Sequence, residues 1–507
     1  MRPISFFTKA LLPVIAGALT IIGVKGYNLS SQESPFQIAA KKLGFTSPAE
    51  QEAILGIFYR AGYLDKQKLW DDIYCFNKGN ADKSAKMYNA VIGSFQKEDG
   101  TRPSLKSLRK NLFKTNHNDT VSTEDVEAWL VYVAQNAFNR KVGQERNELK
   151  HAPWMDMHKT EYLEYVKTLG LVDPIKPTLN EYDDVWIAGA SMIGLSTRML
   201  NHFQIVQGIK IYGSELALAG ERGLWAELDG INPETKKKLE EAWEKKQDIN
   251  QLDISLPVGE DPHAKEEGKK YLLDLAKRHN IKLNEDQPFV VYKAGEAPQG
   301  YFPGRHYPNY ADGEEKRLTE SLAASDLLKA HGITTVRIID TKLGKNNQRP
   351  DTYTTALDAA EDFIARIQKG DFGDRKQFTI LYESNNPYIE RQAVTTQRAV
   401  DETLKKYKLD KKDYTIKVEG VGFGLKQDIV TVHSEFGALF AELFIYSKLK
   451  DKKSFEEIKE LAKDLLFQSR KYPEELPPIP KPEHHDDQGY YDWLVGKAQN
   501  FFDQVME

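Results

Sequence analysis

The side chains able to do chemistry in this chain gather behind short apolar runs. Val185 to Ala188 is followed by Gly189, Ala190 and Ser191, and the run through Ile209 and Ile211 by Gly213, Ser214 and Glu215. Thr335 to Ile339 leads into Asp340 and Thr341, and Phe378 to Tyr382 into Glu383, Ser384, Asn385 and Asn386. If each run is a strand of one parallel sheet, these groups meet beyond its carboxyl ends, where open α/β sheets bind their ligands. Carboxylates, hydroxyls, amides and bare backbone together suit a ribose, a phosphate or a polar head group. The set lacks a histidine placed as a neutral-pH base.

Three motifs test that edge. Gly189-Ala-Ser-Met-Ile-Gly194 has serine at the second glycine of the dinucleotide fingerprint, so classical dinucleotide binding loses support. The same stretch carries Leu195-Ser196 where a P-loop requires Lys-Ser/Thr, which argues against an NTPase. It also opens like a nucleophile elbow, with its second glycine one residue late. Ser191, an acid near Asp340 or Asp351, and His433 have the chain order of an α/β serine hydrolase; against this, Ser191 is simply a small residue that lets the backbone turn. His484-His485-Asp486-Asp487 lies in a polar, proline-flanked tail and reads as solvated surface rather than a metal site. His151 and His158 lack ligand spacing.

The elements that must position these groups follow from periodicity. From about Ser34 to Leu171 only helices are expected. Ser47-Pro48-Ala49-Glu50 has capping-box form, and Ser122-Thr123-Glu124-Asp125 opens a second helix carrying Val126, Trp129, Leu130 and Val133. Lys176-Pro177-Thr178 marks a boundary. Strand, small-residue turn and a helix capped by Ser196 or Thr197 then open an α/β unit whose loop suits an anion. A charged stretch from about Pro233 to Asp286 reads as inserted helices, and the aromatic, proline-containing segment Tyr301 to Tyr310 as a surface loop. Helix and strand then alternate: Glu320–Ala330, Thr335–Asp340, Tyr353–Ile367, Phe378–Tyr382, Tyr388–Lys405, Tyr414–Val418 and Val432–Leu449. The fold class is α/β: a Rossmann-like parallel sheet of about five strands with helices on both faces, preceded by an all-helical domain.

A chain of 507 residues, 40% hydrophobic and 29% charged, belongs to a folded protein of two or three units. Its net charge of −5 gives no electrostatic reason to expect nucleic acid. With Cys75 as the single cysteine, neither an intramolecular disulfide nor a thiolate zinc site can form. Arg2 and Lys9 precede an apolar stretch from Ala10 to Val24, short for a span of ~20 residues but suited to a signal or signal-anchor. The expected arrangement is an inner-membrane tether with the body exported, a buried helix of a cytoplasmic protein being the alternative. The expected divisions are 1–33 signal-anchor, 34–175 helical, 176–450 Rossmann-like with a helical insertion at about 228–315, and 451–507 C-terminal helices with a Pro-rich tail.

With those edge residues in view, residues 180 to 449 resemble the YdcF/SanA-like family of bacterial proteins, a domain of unknown function. Asp184 to Ser191 and Ile211-Tyr212-Gly213-Ser214 match its first two strand ends, and Thr319-Glu320 and Arg349-Pro350-Asp351-Thr352-Tyr353 its helix starts. Glu383-Ser384-Asn385-Asn386-Pro387-Tyr388-Ile389-Glu390-Arg391 resembles the family's Thr-Ser-x-x-His-x-x-Arg, with Tyr388 replacing the histidine. His433-Ser434-Glu435-Phe436-Gly437 resembles its late, glutamate-bearing helix. The resemblance implies a Rossmann-like fold tethered to the inner membrane, a role in the cell envelope, and S-adenosylmethionine as a ligand; the edge residues lead to the expectation of a small anionic or nucleotide-like ligand or a phosphorylated envelope precursor. Ligand-binding residues would be Gly189, Ala190, Ser191, Gly213, Ser214, Glu320, Asp340, Asp351, Thr352, Ser384, Asn385, Tyr388 and Arg391, with Glu320 and Asp351 the candidates for catalysis. Arg391 would meet an anion through its planar fork, unless it pairs with Glu390 or Glu383. A non-catalytic protein-interaction role for the helical part is the competing reading.

Overall fold

The computed structural model describes residues 35–62, 122–138, 151–221, 223–224, 233–256, 262–283, 289–291, 306–308, 316–344 and 350–451, with Ile73, Phe76, Ser84 and Glu457. The apolar N-terminal stretch, Cys75, most of the aromatic 301–310 loop, the Pro-rich tail and His484 to Asp487 lie outside them.

The first described elements are helices: α1 (Pro35–Lys42), α2 (Pro48–Arg60), α3 (Thr123–Phe138), α4 (Pro153–Met157) and α5 (Lys159–Thr168). The Ser47–Glu50 capping box forms, and the Ser122 hydroxyl accepts from the Asp125 amide at 3.1 Å. The chain then lays down β1 (Glu181–Tyr182), β2 (Asp184–Ala188), α6 (Met192–Ile205), β3 (Lys210–Ile211) and β4 (Glu215–Gly220). An excursion follows, with helices α7 (Pro233–Lys245) and α8 (Pro262–Arg278) and an antiparallel pair, β5 (Phe289–Val291) with β6 (His306–Pro308). The insertion is therefore not purely helical. Alternation resumes with α9 (Glu320–Ala330), β7 (Val336–Thr341), α10 (Thr352–Lys369), β8 (Gln377–Asn385), α11 (Ile389–Lys406), β9 (Thr415–Phe423) and α12 (Ile429–Lys450).

Five parallel strands form the main sheet in the order β7-β4-β2-β8-β9. In chain order this is 3-2-1-4-5, the Rossmann-type winding with its switch point between β2 and β8. Central strands buried on both faces need apolar residues on both, and β2 is buried throughout. Trp186, Leu216, Leu218, Phe378, Ile380 and Tyr382 pack under α10 and α11, while Val185, Ile187, Ala217, Ala219 and Leu381 pack under α6 and α9.

Two expectations need correction. Lys210–Ile211 is not a strand of the main sheet; it pairs with Glu181–Tyr182 in a separate two-stranded ribbon. The second sheet strand is the following Glu-Leu-Ala-Leu-Ala-Gly, so Gly213 and Ser214 precede it and lie at the amino edge. The second correction concerns α12, assigned above to the sheet unit. Its Val432, Phe436, Phe440 and Phe444 share one apolar cluster with Ile54, Phe58, Trp129, Leu130 and Phe138 of the N-terminal helices. Phe58 stacks on Phe138 at 5.7 Å, and Phe138 meets Phe436 edge-on at 5.2 Å. Residue 175 is thus not a packing boundary. Among the described residues, α12 is also the one helix long and apolar enough to cross a membrane, and 61% of its most apolar window is buried inside the protein.

Candidate functional site

Among the described residues, the carboxyl edge of the sheet divides into a half that the chain seals and a more open half. Over β8 and β9 the chain seals itself. Asn386 Nδ2 donates to the carbonyls of Gly170 (3.0 Å) and Asp173 (2.5 Å), and Ile175 forms an antiparallel bridge with Gly422. From the insertion side, the Leu256 amide donates to the Lys426 carbonyl at 2.7 Å. Lys426 Nζ returns a bond to the Leu252 carbonyl at 2.7 Å. Residues Ser384 to Ile389 are buried beneath these crossings.

The candidates on this half have protein partners. The Ser384 hydroxyl donates to Gln392, and the Tyr388 hydroxyl to Gln427. Arg391 pairs with Glu435 of α12 at 2.5 Å, not with Glu390 or Glu383. The pair braces α11 against α12. Asn385 Oδ1 accepts from Arg198 Nε at 2.9 Å, and Arg198 Nη1 donates to the carbonyls of Ala188 (2.9 Å) and Gly189 (2.7 Å). Arg198 therefore fills the switch-point crevice between β2 and β8, which a dinucleotide would cross. The sequence reading missed it, although Arg198 and His202 stand four apart on a helix whose Leu195 and Met199 are core. A polar pair on a buried helix face was the available signal.

His202 lies one turn further along, under α6. Its Nδ1 is 3.0 Å from Glu383 Oε1 and its Nε2 is 3.3 Å from Glu215 Oε2, so one imidazole spans β2 between carboxylates on β8 and β4. Burial alone would lower the histidine pKa. The charge of Glu383 and the hydrogen bonds and charge of Glu215 outweigh it and push the value up to about 10. His202 is 1% exposed and is an imidazolium at neutral pH, unfit as a general base.

The more open half of the described edge lies over β2, β4 and β7, where Met192 of α6 packs against the cluster of Leu224, Leu272 and Leu318. Gly189, Ala190 and Ser191 are partly exposed there. A Cβ added to Gly189 would sit 2.0 Å from the Leu218 carbonyl oxygen, so this glycine serves the close approach of β2 to β4. Ser191, not Ser196 or Thr197, is the N-cap of α6, and its side chain makes no capping bond. Ser196 accepts instead from Trp243 Nε1 at 3.0 Å, and Thr197 donates back to Ile193. The neighbouring helices are closed by their own chain. The Thr319 hydroxyl caps α9, and Asp351 caps α10 in a reciprocal box with Thr354. Asp351 thus has a capping role, Thr352 is the first residue of α10, and Glu320 is a buried first-turn acid of α9 that complements the helix dipole.

Past β4, the Glu221 amide donates to the Thr341 carbonyl at 2.9 Å. Its carboxylate accepts from the Leu343 amide at 2.9 Å and pairs with Lys342 at 3.0 Å. Lys342 also holds Asp340, at 2.7 Å. Glu221 was not foreseen because the second strand was expected to end at Glu215, which begins β4 instead.

The remaining candidates sit elsewhere. Gly213 and Ser214 cover the opposite edge, where the Ser214 amide donates to buried Asp184 at 2.7 Å. Arg366 pairs with the same carboxylate, yet burial dominates and holds the Asp184 pKa above its ordinary value. A Cβ on Gly213 would fall 2.3 Å from Asp184 Oδ1. His433 packs against Phe138 (4.7 Å) and Trp154 (5.5 Å) in the helical core, while Ser191 heads α6 at the sheet edge and Asp351 caps α10. The contacts of the described residues do not join them into a triad. His151 bonds to Asp156 and Asp428, and among the described residues no group of three or more His, Cys, Asp or Glu is spaced to hold a metal ion. No protein-family model, curated protein or solved structure matches the chain.

Proposed function

We propose that this protein binds a small anionic, nucleotide-like ligand on the open half of its sheet edge, above β2, β4 and β7. One observation carries the reading. The fourteen-residue helix α6 begins at the partly exposed Gly189–Ser191 turn with no side-chain cap, while α9 on the same face and α10 on the opposite face are capped by Thr319 and Asp351. A helix start that no side chain caps, aligned with the macrodipole, favours a phosphate or carboxylate. Arg198 in the switch-point crevice favours a ligand occupying one half of a Rossmann site over a dinucleotide spanning both. S-adenosylmethionine or a phosphorylated envelope precursor and a tether formed by residues 1–33 belong to the same proposal through the YdcF/SanA-like resemblance, beside a helical unit that precedes the sheet and is completed by α12.

The test is Ser191→Asp. A carboxylate at the N-cap takes the α6 amides for itself and repels an anion. The variant should be as stable as the parent or up to ~1 kcal/mol more so, since aspartate is a good cap. In thermal-shift and calorimetric titrations with S-adenosylmethionine, mononucleotides and inorganic phosphate, whichever probe binds the parent should bind the variant at least tenfold more weakly. Equal binding by both proteins refutes the assignment.

A further inference from the structure

Resting on the helical unit of that reading but not on its ligand, we infer that the N-terminal helices and α12 swing as one body on a two-stranded hinge, latched to α11 by two ion pairs. Among the described residues, none of the five apolar clusters joins residues 176–424 to the helical core. Helix α12 belongs to that core through its aromatic face and through buried Lys448, which pairs with Glu127 of α3 at 2.6 Å. A single division at residue 175 fails because the chain passes between the two bodies twice.

The two passages run side by side. Ile175 and Gly422 exchange both backbone hydrogen bonds, at 3.0 and 2.9 Å, and the Leu425 amide donates to the Val172 carbonyl at 2.7 Å. Asn386 holds the first passage from the sheet side through the carbonyls of Gly170 and Asp173. Two short linkers bonded to each other bend about their common line and resist other movements, which is the arrangement of a hinge. Beyond them, α11 and α12 run parallel and meet through Arg391–Glu435 and Arg398–Glu442, partners 44 positions apart in both pairs. A polar contact between bodies that share no apolar core permits relative motion. The glutamates are 2% and 19% exposed and the arginines 15% and 9%, so the charges are largely dry when the latch is closed. An arginine deprived of its glutamate regains a partner by opening to water.

The experiment measures distances between paired spin labels on the full chain, in a Cys75→Ser background. Labels at exposed Lys159 of α5 and exposed Lys369 of α10 report across the hinge, and labels at Lys159 and exposed Lys450 of α12 report within the helical body. The parent should give one distance for each pair. Glu435→Gln/Glu442→Gln leaves both arginines without a counter-charge and should populate a second distance across the hinge in roughly a third of the molecules or more. The distance within the helical body should stay unchanged. Should the double variant fail to fold, Glu442→Gln alone decides, with the same second distance in a smaller share. One unchanged distance across the hinge in every folded variant, or a change within the helical body as well, overturns the inference. Anion titrations read the binding proposal separately, so the two stand or fall independently.

Discussion

Replacing His202 should destabilise the fold more than any surface ion pair would. In the native state the imidazolium is clamped between Glu383, itself 1% exposed, and Glu215 at 21%. His202→Leu removes the positive charge and leaves two carboxylates facing each other across β2, one of them out of reach of water. Breaking a buried pair from one side costs roughly 3–5 kcal/mol, whereas replacing both partners with apolar groups is often neutral. The double variant His202→Leu/Glu383→Leu should therefore recover most of the loss, with Glu215 still accepting from Thr335 at 3.0 Å.

Urea unfolding followed by tryptophan fluorescence reads both effects. The pH dependence checks the sign. A folded pKa near 10 against an ordinary 6.5 means the charge contributes fully below pH 6.5 and is lost as pH climbs toward 10, by up to ~1.4 kcal/mol per unit. That slope should vanish in His202→Leu. A single variant within ~0.5 kcal/mol of the parent, or a double variant as costly as the two singles added, would show that the cluster does not carry charge as described.

Gly189→Ala should cost at least ~1–3 kcal/mol in the same assay, because its methyl meets a backbone oxygen of β4 that no rotamer can move aside. Asp351→Ala should lower stability by about 1 kcal/mol through loss of the α10 cap and leave anion affinity intact. A fall in affinity without a fall in stability would return Asp351 to the binding set.

Much of the sheet was legible in the sequence, and the errors have physical causes. Helix α9 falls on its expected bounds, and β2, β7 and α10 lie within one or two residues of theirs. The second strand was misplaced because Leu216-Ala-Leu-Ala-Gly220 is built from residues of modest strand propensity that two-sided burial overrides, while the better-looking Ile209-Lys-Ile211 pairs outside the sheet. The fourth strand was ended too soon at Tyr382, because Glu383, Ser384 and Asn385 look like a loop. They are strand residues that bond to His202, Gln392 and Arg198 respectively. Histidine and glutamate there are 181 positions apart, a separation no local pattern reveals. Gly189 to Ser191 stand at the carboxyl edge between β2 and α6, as their order in the sequence leads one to expect. Glu221 was hidden by the strand error, and Ser384 to Arg391 by seals arriving from residues 170–175 and 249–256.

The shared core of α12 and the N-terminal helices bears on how the chain is made. Phe58, Trp129 and Phe138 leave the ribosome early, but Phe436, Phe440 and Phe444, which cover them, come roughly three to four hundred residues later. At ~5–20 residues per second, the early helices wait on the order of 15–60 s for that partner. Their apolar faces are exposed to chaperones, or to one another, throughout. A nascent chain stalled anywhere before residue 429 would carry an open aromatic groove, and supplying Ile429–Lys450 in trans would be the natural way to close it.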